Sequence, residues 1–200
     1  MVPGPSDPGF ASTREIRLAL QRVGELLEAG GVRFAIVIVG GAALNLLGVI
    51  ERSTVDVDVI ALGSGVRPMR LSEPADPLPR PLADAVAIVA RDMNLPADWM
   101  NSRVAGQWAL GVPEGFQARI RWEAFGGLDV GLSGRTDLIH LKLYAACDAT
   151  GPHSRHFADL IALSPTPGEL AEAAAWVADQ DAGLASIVEE VIRHVRSRVG

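Results

Sequence analysis

The chain has 200 residues, of which 48% are hydrophobic and 21% charged, a composition typical of a globular protein. Its formal net charge of −6 argues against broad, non-specific binding to nucleic acid, because phosphate neutralisation needs a basic surface. Cys147 is the only cysteine, which excludes an internal disulfide and makes a cysteine-ligated metal unexpected.

Residues 1–11 are rich in proline and glycine, and they predict a disordered N-terminus. They lack the basic and apolar segments of a signal peptide, and no apolar run in the chain approaches the roughly 20 residues that cross a membrane. We therefore expect a cytoplasmic protein without a membrane partner. A helix is predicted over 12–29, with Ser12 or Thr13 as its cap and Glu15 placed to reach back to that cap.

A strand, a helix and a second strand follow, predicted over 33–39, 41–48 and 55–62. Gly40 and Gly41 stand where the first strand passes into the helix. Glycines let a backbone turn approach a phosphate closely, and the start of a helix presents free N–H groups to it. The pattern therefore predicts a phosphate-binding turn.

The second strand carries two carboxylates, because Asp56 and Asp58 alternate with Val55, Val57 and Val59. Alternate side chains of a strand point to opposite faces, so the valines face a core and both carboxylates project together. Two like charges held so close repel each other unless a positive group lies between them. Mg²⁺ is a suitable partner, since it binds one or two carboxylates together with substrate phosphates. The alternative is a solvated strand edge with two surface aspartates.

The rest of the chain predicts a small sheet followed by helices. A connection rich in proline and glycine over 63–82 leads to a helix over 82–92, and two strands are predicted over 117–124 and 127–132. We expect Trp99 to be buried and structural, with stacking on a substrate as the alternative.

The predicted fold class is α/β (α+β), with a small mixed sheet flanked by helices. The expected domains are a catalytic domain over 12–132 and a C-terminal helical region over 133–200.

The order of apolar strand, Gly-Gly, short helix and Asp-x-Asp on the next strand resembles the nucleotidyltransferase superfamily, which has the polymerase-β-like fold. The stretches GGAALNLLG and ERSTVDVDV are most similar to AbiEii-type toxin nucleotidyltransferases and related uncharacterised bacterial proteins. The resemblance implies Mg²⁺-dependent transfer of a nucleoside monophosphate from an NTP, with Mn²⁺ as an alternative ion. It also implies tRNA or protein as the acceptor and a cognate antitoxin as a partner.

The resemblance further implies two metal ions held by three carboxylates. Asp56 and Asp58 match two of the three. The third comes from a later strand in an apolar–acid–apolar setting, which Asp129 fits, and Glu123 on the preceding strand is the competitor.

Five further residues are candidates for nucleotide binding or catalysis. Lys142 stands in a Leu-Lys-Leu setting where AbiEii-like proteins carry a lysine associated with phosphate binding or catalysis. A lysine inside an apolar stripe either snorkels or meets an acidic partner. Arg52 and Thr54 match an Arg-x-Thr-x-Asp pattern, and together with Gly40 and Gly41 they would contact the nucleotide. A surface role for Arg52 is the alternative.

Two other functions remain open at this point. One is a catalytically inactive domain of the same fold that acts as a binding module, and a missing third carboxylate would favour it. The other is a small-molecule nucleotidyltransferase of the antibiotic-modifying kind, which an acidic pocket for a cationic acceptor would favour.

Overall fold

The computed structural model describes residues 9–65, 69–74, 76–148 and 154–199. These residues form two compact units. The first consists of the chain up to Ala109 together with Ile120–Leu132, and the second consists of Leu110–Arg119 together with the chain from Ser133 onward. Residues 110–119 thus belong with the helical C-terminal unit, although they lie within the domain expected over 12–132.

The first unit contains a mixed sheet with helices. Its elements in chain order are α1 (Thr13–Ala29), β1 (Phe34–Val39), α2 (Gly40–Leu46), β2 (Val57–Ser64), β3 (Arg70–Ser72), α3 (Arg80–Met93), β4 (Met100–Asn101), α4 (Gly106–Leu110, whose last residue belongs to the second unit), β5 (Arg121–Phe125) and β6 (Leu128–Leu132). The strands follow the order β3-β2-β1-β6-β5, and β4 also pairs with β2. This arrangement confirms the predicted fold class.

Strand β1 is the centre of the sheet, antiparallel to β2 on one side and parallel to β6 on the other. Its residues from Ala35 to Val39 are all buried. A strand covered on both faces needs apolar side chains at every position, which explains the uninterrupted apolar sequence of β1.

Helix α1 confirms the helix predicted over 12–29. The hydroxyl of Ser12 accepts the backbone N–H of Glu15 at 3.3 Å, and the carboxylate of Glu15 accepts the N–H of Ala11 at 2.7 Å. A Cβ atom on Gly24 would lie only 1.4 Å from the carbonyl oxygen of Phe125. The backbone of α1 therefore packs directly against the turn between β5 and β6, and only glycine permits this approach.

The predicted disorder of residues 1–11 is wrong at Phe10, and residues 1–8 lie outside the described part of the chain. The ring of Phe10 is fully buried with its centroid 5.4 Å from that of Trp99, and the backbone N–H of Phe10 donates to the carbonyl oxygen of Thr54 at 2.7 Å. The proline- and glycine-rich composition of the segment predicted disorder, although Phe10 has a packing partner in the core, Trp99.

Trp99 is itself fully buried, and its indole N–H donates to the carbonyl oxygen of Val86 at 3.1 Å. This confirms the structural interpretation of Trp99. A side chain without exposed surface does not stack on a substrate, so the alternative is wrong.

Two predicted boundaries need correction. Strand β2 begins at Val57, two residues after the predicted start, and β5 begins at Arg121 because Phe116–Arg119 form a 3₁₀ turn. The connection predicted over 63–82 contains strand β3, while its residues 66–68 and 75 lie outside the described ranges.

The second unit contains helices. They are α5 (Arg135–Asp148), α6 (Arg155–Ala162), α7 (Pro167–Gln180) and α8 (Ala185–Val199). Thr166 caps α7 with a reciprocal capping box to Glu169, as the sequence TPGE indicates. Within the described ranges, no helix has the length and apolar character needed to span a membrane.

Cys147, near the end of α5, is a useful probe of unfolding. Burial raises the pKa of its thiol to about 11, so at about pH 8 the folded protein has almost no reactive thiolate. We expect a thiol reagent to label Cys147 only after denaturation. Because the pKa is raised in the folded state, the stability linked to the neutral thiol is complete below pH 9 and is lost as the pH rises toward 11. Rapid labelling of the native protein would contradict this prediction.

Candidate active site

The two central carboxylates lie at the start of β2. Asp56 directly precedes the strand, Asp58 is its second residue, and both side chains are half-buried. Val57 and Val59 beside them are fully buried, as the alternation predicts. Asp58 pairs with Val39, the last residue of β1. This register brings Asp58 next to the glycine turn that follows β1.

The glycine turn packs against polar side chains that the sequence predicts for the site. Gly40 has a φ of +73°, and a Cβ there would lie 2.3 Å from Oδ2 of Asp58. A Cβ on Gly41 would lie 2.8 Å from Oγ1 of Thr54 and 3.3 Å from Nη2 of Arg52. One carboxylate and one hydroxyl therefore occupy the space that side chains at 40 and 41 would fill, and one guanidinium group lies beside it.

Asn45 connects the glycine turn to the segment that carries Arg52, and sequence reasoning missed it. Its side chain is buried, with Nδ2 donating to the carbonyl oxygen of Gly41 at 2.9 Å and Oδ1 accepting the backbone N–H of Arg52 at 3.2 Å. One amide thus fixes both parts of the candidate phosphate site. A single polar residue inside the apolar stretch GGAALNLLG was the available signal.

Thr54 is only 4% exposed, so it lies beneath the surface of the candidate site. Its hydroxyl donates to the carbonyl oxygen of Asp56 at 3.5 Å, and its backbone N–H donates to Phe10 at 3.0 Å. These contacts fix the chain just before β2.

Asp129 does not lie where a third carboxylate is expected. It sits in β6, which is separated from β2 by β1, and it pairs with Ala35, whereas Asp58 pairs with Val39. Four residues along a strand correspond to roughly 13 Å. Asp129 shares the sheet face of Asp58 but occupies the other end of it, 4.0 Å from Nη2 of Arg33. The expectation that Asp129 approaches Asp56 and Asp58 is therefore wrong.

Glu123, the competing acid, points to the opposite face of the sheet. It pairs with Val130 and contacts Arg17 of α1 at 2.7 Å and Arg121 at 2.9 Å. Burial alone would raise the pKa of Glu123, but the hydrogen bonds and charges of the two arginines lower it overall. Glu123 thus helps to dock α1 on β5 and is not a ligand at the Asp58 end of β2.

Lys142, in the second unit, meets an acidic partner. Its Nζ lies 2.7 Å from Oδ2 of Asp159, and the two side chains are only 7% and 1% exposed. A lysine in an apolar stripe that neither snorkels nor stays exposed needs such a partner. The ion pair joins α5 to α6. A role of Lys142 in phosphate binding or catalysis stays a prediction.

The residues at the start of β2 fit one hard divalent cation better than two. Asp56 and Asp58 supply two carboxylates, and Mg²⁺ completes such a shell with water and substrate phosphates. In the described ranges no group of three His, Cys, Asp or Glu side chains is placed to hold a metal. The three-carboxylate set of Asp56, Asp58 and Asp129 is therefore not assembled here.

Replacing Gly40 with alanine tests the contact between the turn and Asp58. Gly48 has the same φ of +73° but open space around it, so Gly48→Ala is a matched control for backbone strain. We expect Gly48→Ala to lose about 1 kcal/mol of stability, because L-residues disfavour this conformation, and Gly40→Ala to lose more, because its Cβ also meets Asp58. Only Gly40→Ala displaces the carboxylate of Asp58, so only this variant should weaken Mn²⁺ binding, by about tenfold. Equal Mn²⁺ affinities in calorimetric titrations of the two variants would contradict the proposed contact.

A mixed sheet in which a glycine pair packs against a carboxylate at the start of the neighbouring strand is the arrangement expected of a nucleotidyltransferase from the Gly-Gly and Asp-x-Asp pattern. Residues 18–149 match the model of a family described as "Nucleotidyltransferase of unknown function (DUF6036)", and the chain belongs to this family. No curated protein and no solved structure matches the chain. The finer resemblance to AbiEii-type toxins stays a prediction.

Proposed function

We propose that the protein is a Mg²⁺-dependent nucleotidyltransferase that moves a nucleoside monophosphate from an NTP to an acceptor. The observation that supports this most strongly is the register of β1 and β2, which sets Asp58 against Gly40 while Asp56 precedes it by two residues. Carboxylates and a side-chain-free turn in one place suit a nucleotide whose phosphates bind a cation and also approach the backbone.

In the proposed reaction, an acceptor oxygen bonds to the α-phosphorus, the bond to pyrophosphate breaks, and the acceptor proton passes to solvent. Bound Mg²⁺ would supply charge neutralisation at the phosphate oxygens. Asp56 and Asp58 would hold this cation, and the backbone of Gly40 and Gly41, which carries no side chains, would approach the phosphates. Arg52, whose Nη2 lies beside Gly41, would bind a phosphate oxygen.

For the acceptor, we propose tRNA or a protein, and we propose a toxin activity that a cognate antitoxin neutralises. The support is the resemblance of GGAALNLLG and ERSTVDVDV to AbiEii-type proteins. The net charge of −6 makes a local basic groove necessary for a tRNA acceptor.

A nucleotide-binding module without transferase activity is the second candidate. It is favoured by the positions of Asp129 and Glu123, neither of which adds a third carboxylate to Asp56 and Asp58. Such a module would bind NTP and Mg²⁺ in the same place without turnover.

The test is transfer of label from each α-³²P-NTP in the presence of Mg²⁺, with total tRNA, a protein extract or a cationic aminoglycoside as the acceptor. Labelled tRNA or protein supports the proposal. Labelled aminoglycoside would instead identify the protein as a nucleotidyltransferase that acts on small molecules. NTP binding without transfer supports the binding module. Neither binding nor transfer would overturn both candidates.

A further inference from the structure

Asn101 is the residue that faces the two carboxylates from the other side of β2. Strand β4 runs parallel to the start of β2, and Asn101 pairs with Asp58. Its side chain is nearly buried, with 9% of the residue exposed. An amide, and not a third carboxylate, therefore occupies the strand position next to Asp58 on this side of β2.

The contacts of Asn101 determine the orientation of its amide. Its Oδ1 accepts the backbone N–H of Arg103 at 3.0 Å, and a backbone N–H only donates. Its Nδ2 lies 3.3 Å from the carbonyl oxygen of Asp98 and 3.4 Å from Oδ2 of Asp56, and both of these atoms accept. Every polar group of the amide thus has a partner of the right kind, and one of its two donated hydrogens goes to Asp56.

We propose that Asn101 is a positioning residue for Asp56, and that it makes the site a two-carboxylate site for a single divalent cation. The donated N–H holds one oxygen of Asp56 and leaves the other lone pairs of that carboxylate for the cation. A neutral donor at 101 also avoids a third negative charge beside Asp56 and Asp58. This inference rests on the proposed function of the same site.

Mn²⁺ titration followed by electron paramagnetic resonance tests the role directly, because it needs no turnover. Asn101→Leu keeps the approximate size and removes the donor, and we expect about tenfold weaker Mn²⁺ binding, as for other groups that orient a metal ligand. Asp98→Ala is the matched control, since it removes only an exposed ion pair to Arg103 in the same turn. We expect its Mn²⁺ affinity to stay within about twofold of wild type.

The variant Asn101→Asp distinguishes a role in positioning Asp56 from a purely structural role of Asn101. It can also be measured if Asn101→Leu does not fold. It keeps the size and the acceptor for Arg103 but replaces the donor with a third carboxylate. We expect a lower melting temperature without metal, tighter Mn²⁺ binding, and a larger Mn²⁺-induced rise in melting temperature than in wild type. A melting temperature and Mn²⁺ response equal to those of wild type would overturn the inference, as would an unchanged Mn²⁺ affinity in folded Asn101→Leu.

Failure of this inference is distinguishable from failure of the proposed transfer. If Asn101→Leu binds Mn²⁺ more weakly and the wild-type protein transfers no nucleotide, the inference is supported and the proposed transferase activity is excluded. If the wild-type protein transfers nucleotide and Asn101→Leu binds Mn²⁺ with unchanged affinity, the transferase activity is supported and the inference is overturned. No Mn²⁺ binding by wild type, with a non-hydrolysable NTP analogue present, overturns both.

Discussion

Asp58→Asn will reduce nucleotide transfer by at least about 1000-fold, equivalent to about 4 kcal/mol of lost transition-state stabilisation. Asparagine matches aspartate in shape but lacks the charge that binds the cation. The fold should persist, because Asp58 is half-buried and its replacement lowers the repulsion with Asp56. We expect the melting temperature without Mg²⁺ to stay within about 3 °C of wild type.

Two measurements check this expectation. Radiolabel transfer gives the activity, and thermal melting with and without Mg²⁺ and NTP gives ligand binding, since a ligand of the folded state raises the melting temperature by mass action. Asp129→Asn is the matched control, because it removes a carboxylate from the same sheet face at the far end of β6. If Asp129→Asn abolished transfer while Asp58→Asn retained it, the assignment of the site would be wrong.

Lys142→Ala will destabilise the protein by about 3–5 kcal/mol, because it leaves the carboxylate of Asp159 buried without its cation. This is a large part of the about 5–15 kcal/mol that stabilises a typical domain. The sequence left open whether Lys142 snorkels or meets an acidic partner, and its burial against Asp159 decides for the partner. A loss of transfer in this variant is informative only under conditions in which the variant is folded.

Urea denaturation followed by circular dichroism measures the effect. The double variant Lys142→Met with Asp159→Leu removes both charges and should recover most of the lost stability. Arg80→Ala is a control for an exposed pair, since Arg80 and Asp84 are largely solvated and their pair contributes little. A cost below about 1 kcal/mol for Lys142→Ala would contradict a desolvated pair. Transfer measured on the folded double variant then tests the predicted catalytic role of Lys142.

The parts of the fold that the sequence predicted depend on local signals. The apolar run of β1, the glycine pair and the alternating valines of β2 each act within a few residues, and so does the capping box at Thr166. Their positions agreed with the structure to within about two residues, which is the usual precision of such boundaries.

The parts that were missed depend on partners far away in the chain. Asp129 has the right flanking residues, but only the pairing of β6 with β1 determines which end of the sheet it occupies. Strand β4 has two residues and therefore no periodicity to detect, so the sequence did not place Asn101 beside Asp56 and Asp58. Phe10 was hidden by the composition around it, because burial depends on a contact with Trp99.

The family match settles the class of protein, whereas the acceptor stays a proposal. Nucleotide-binding motifs are short and use backbone geometry, so residues 40–58 suffice to indicate them. An acceptor is recognised by a surface assembled from many segments, and no spacing of residue types in one chain encodes such a surface.

The pairing of β1 with β6 has a consequence for synthesis on the ribosome. Strand β1 acquires β2 soon after translation, but its parallel partner emerges roughly 90 residues later, which at about 5–20 residues per second is a delay of roughly 5–20 s. During that interval one edge of the apolar strand FAIVIV has no native partner, and such edges recruit other chains. The nascent protein is therefore most vulnerable to aggregation before Leu132 leaves the exit tunnel, and chains truncated ahead of β6 should accumulate as insoluble material.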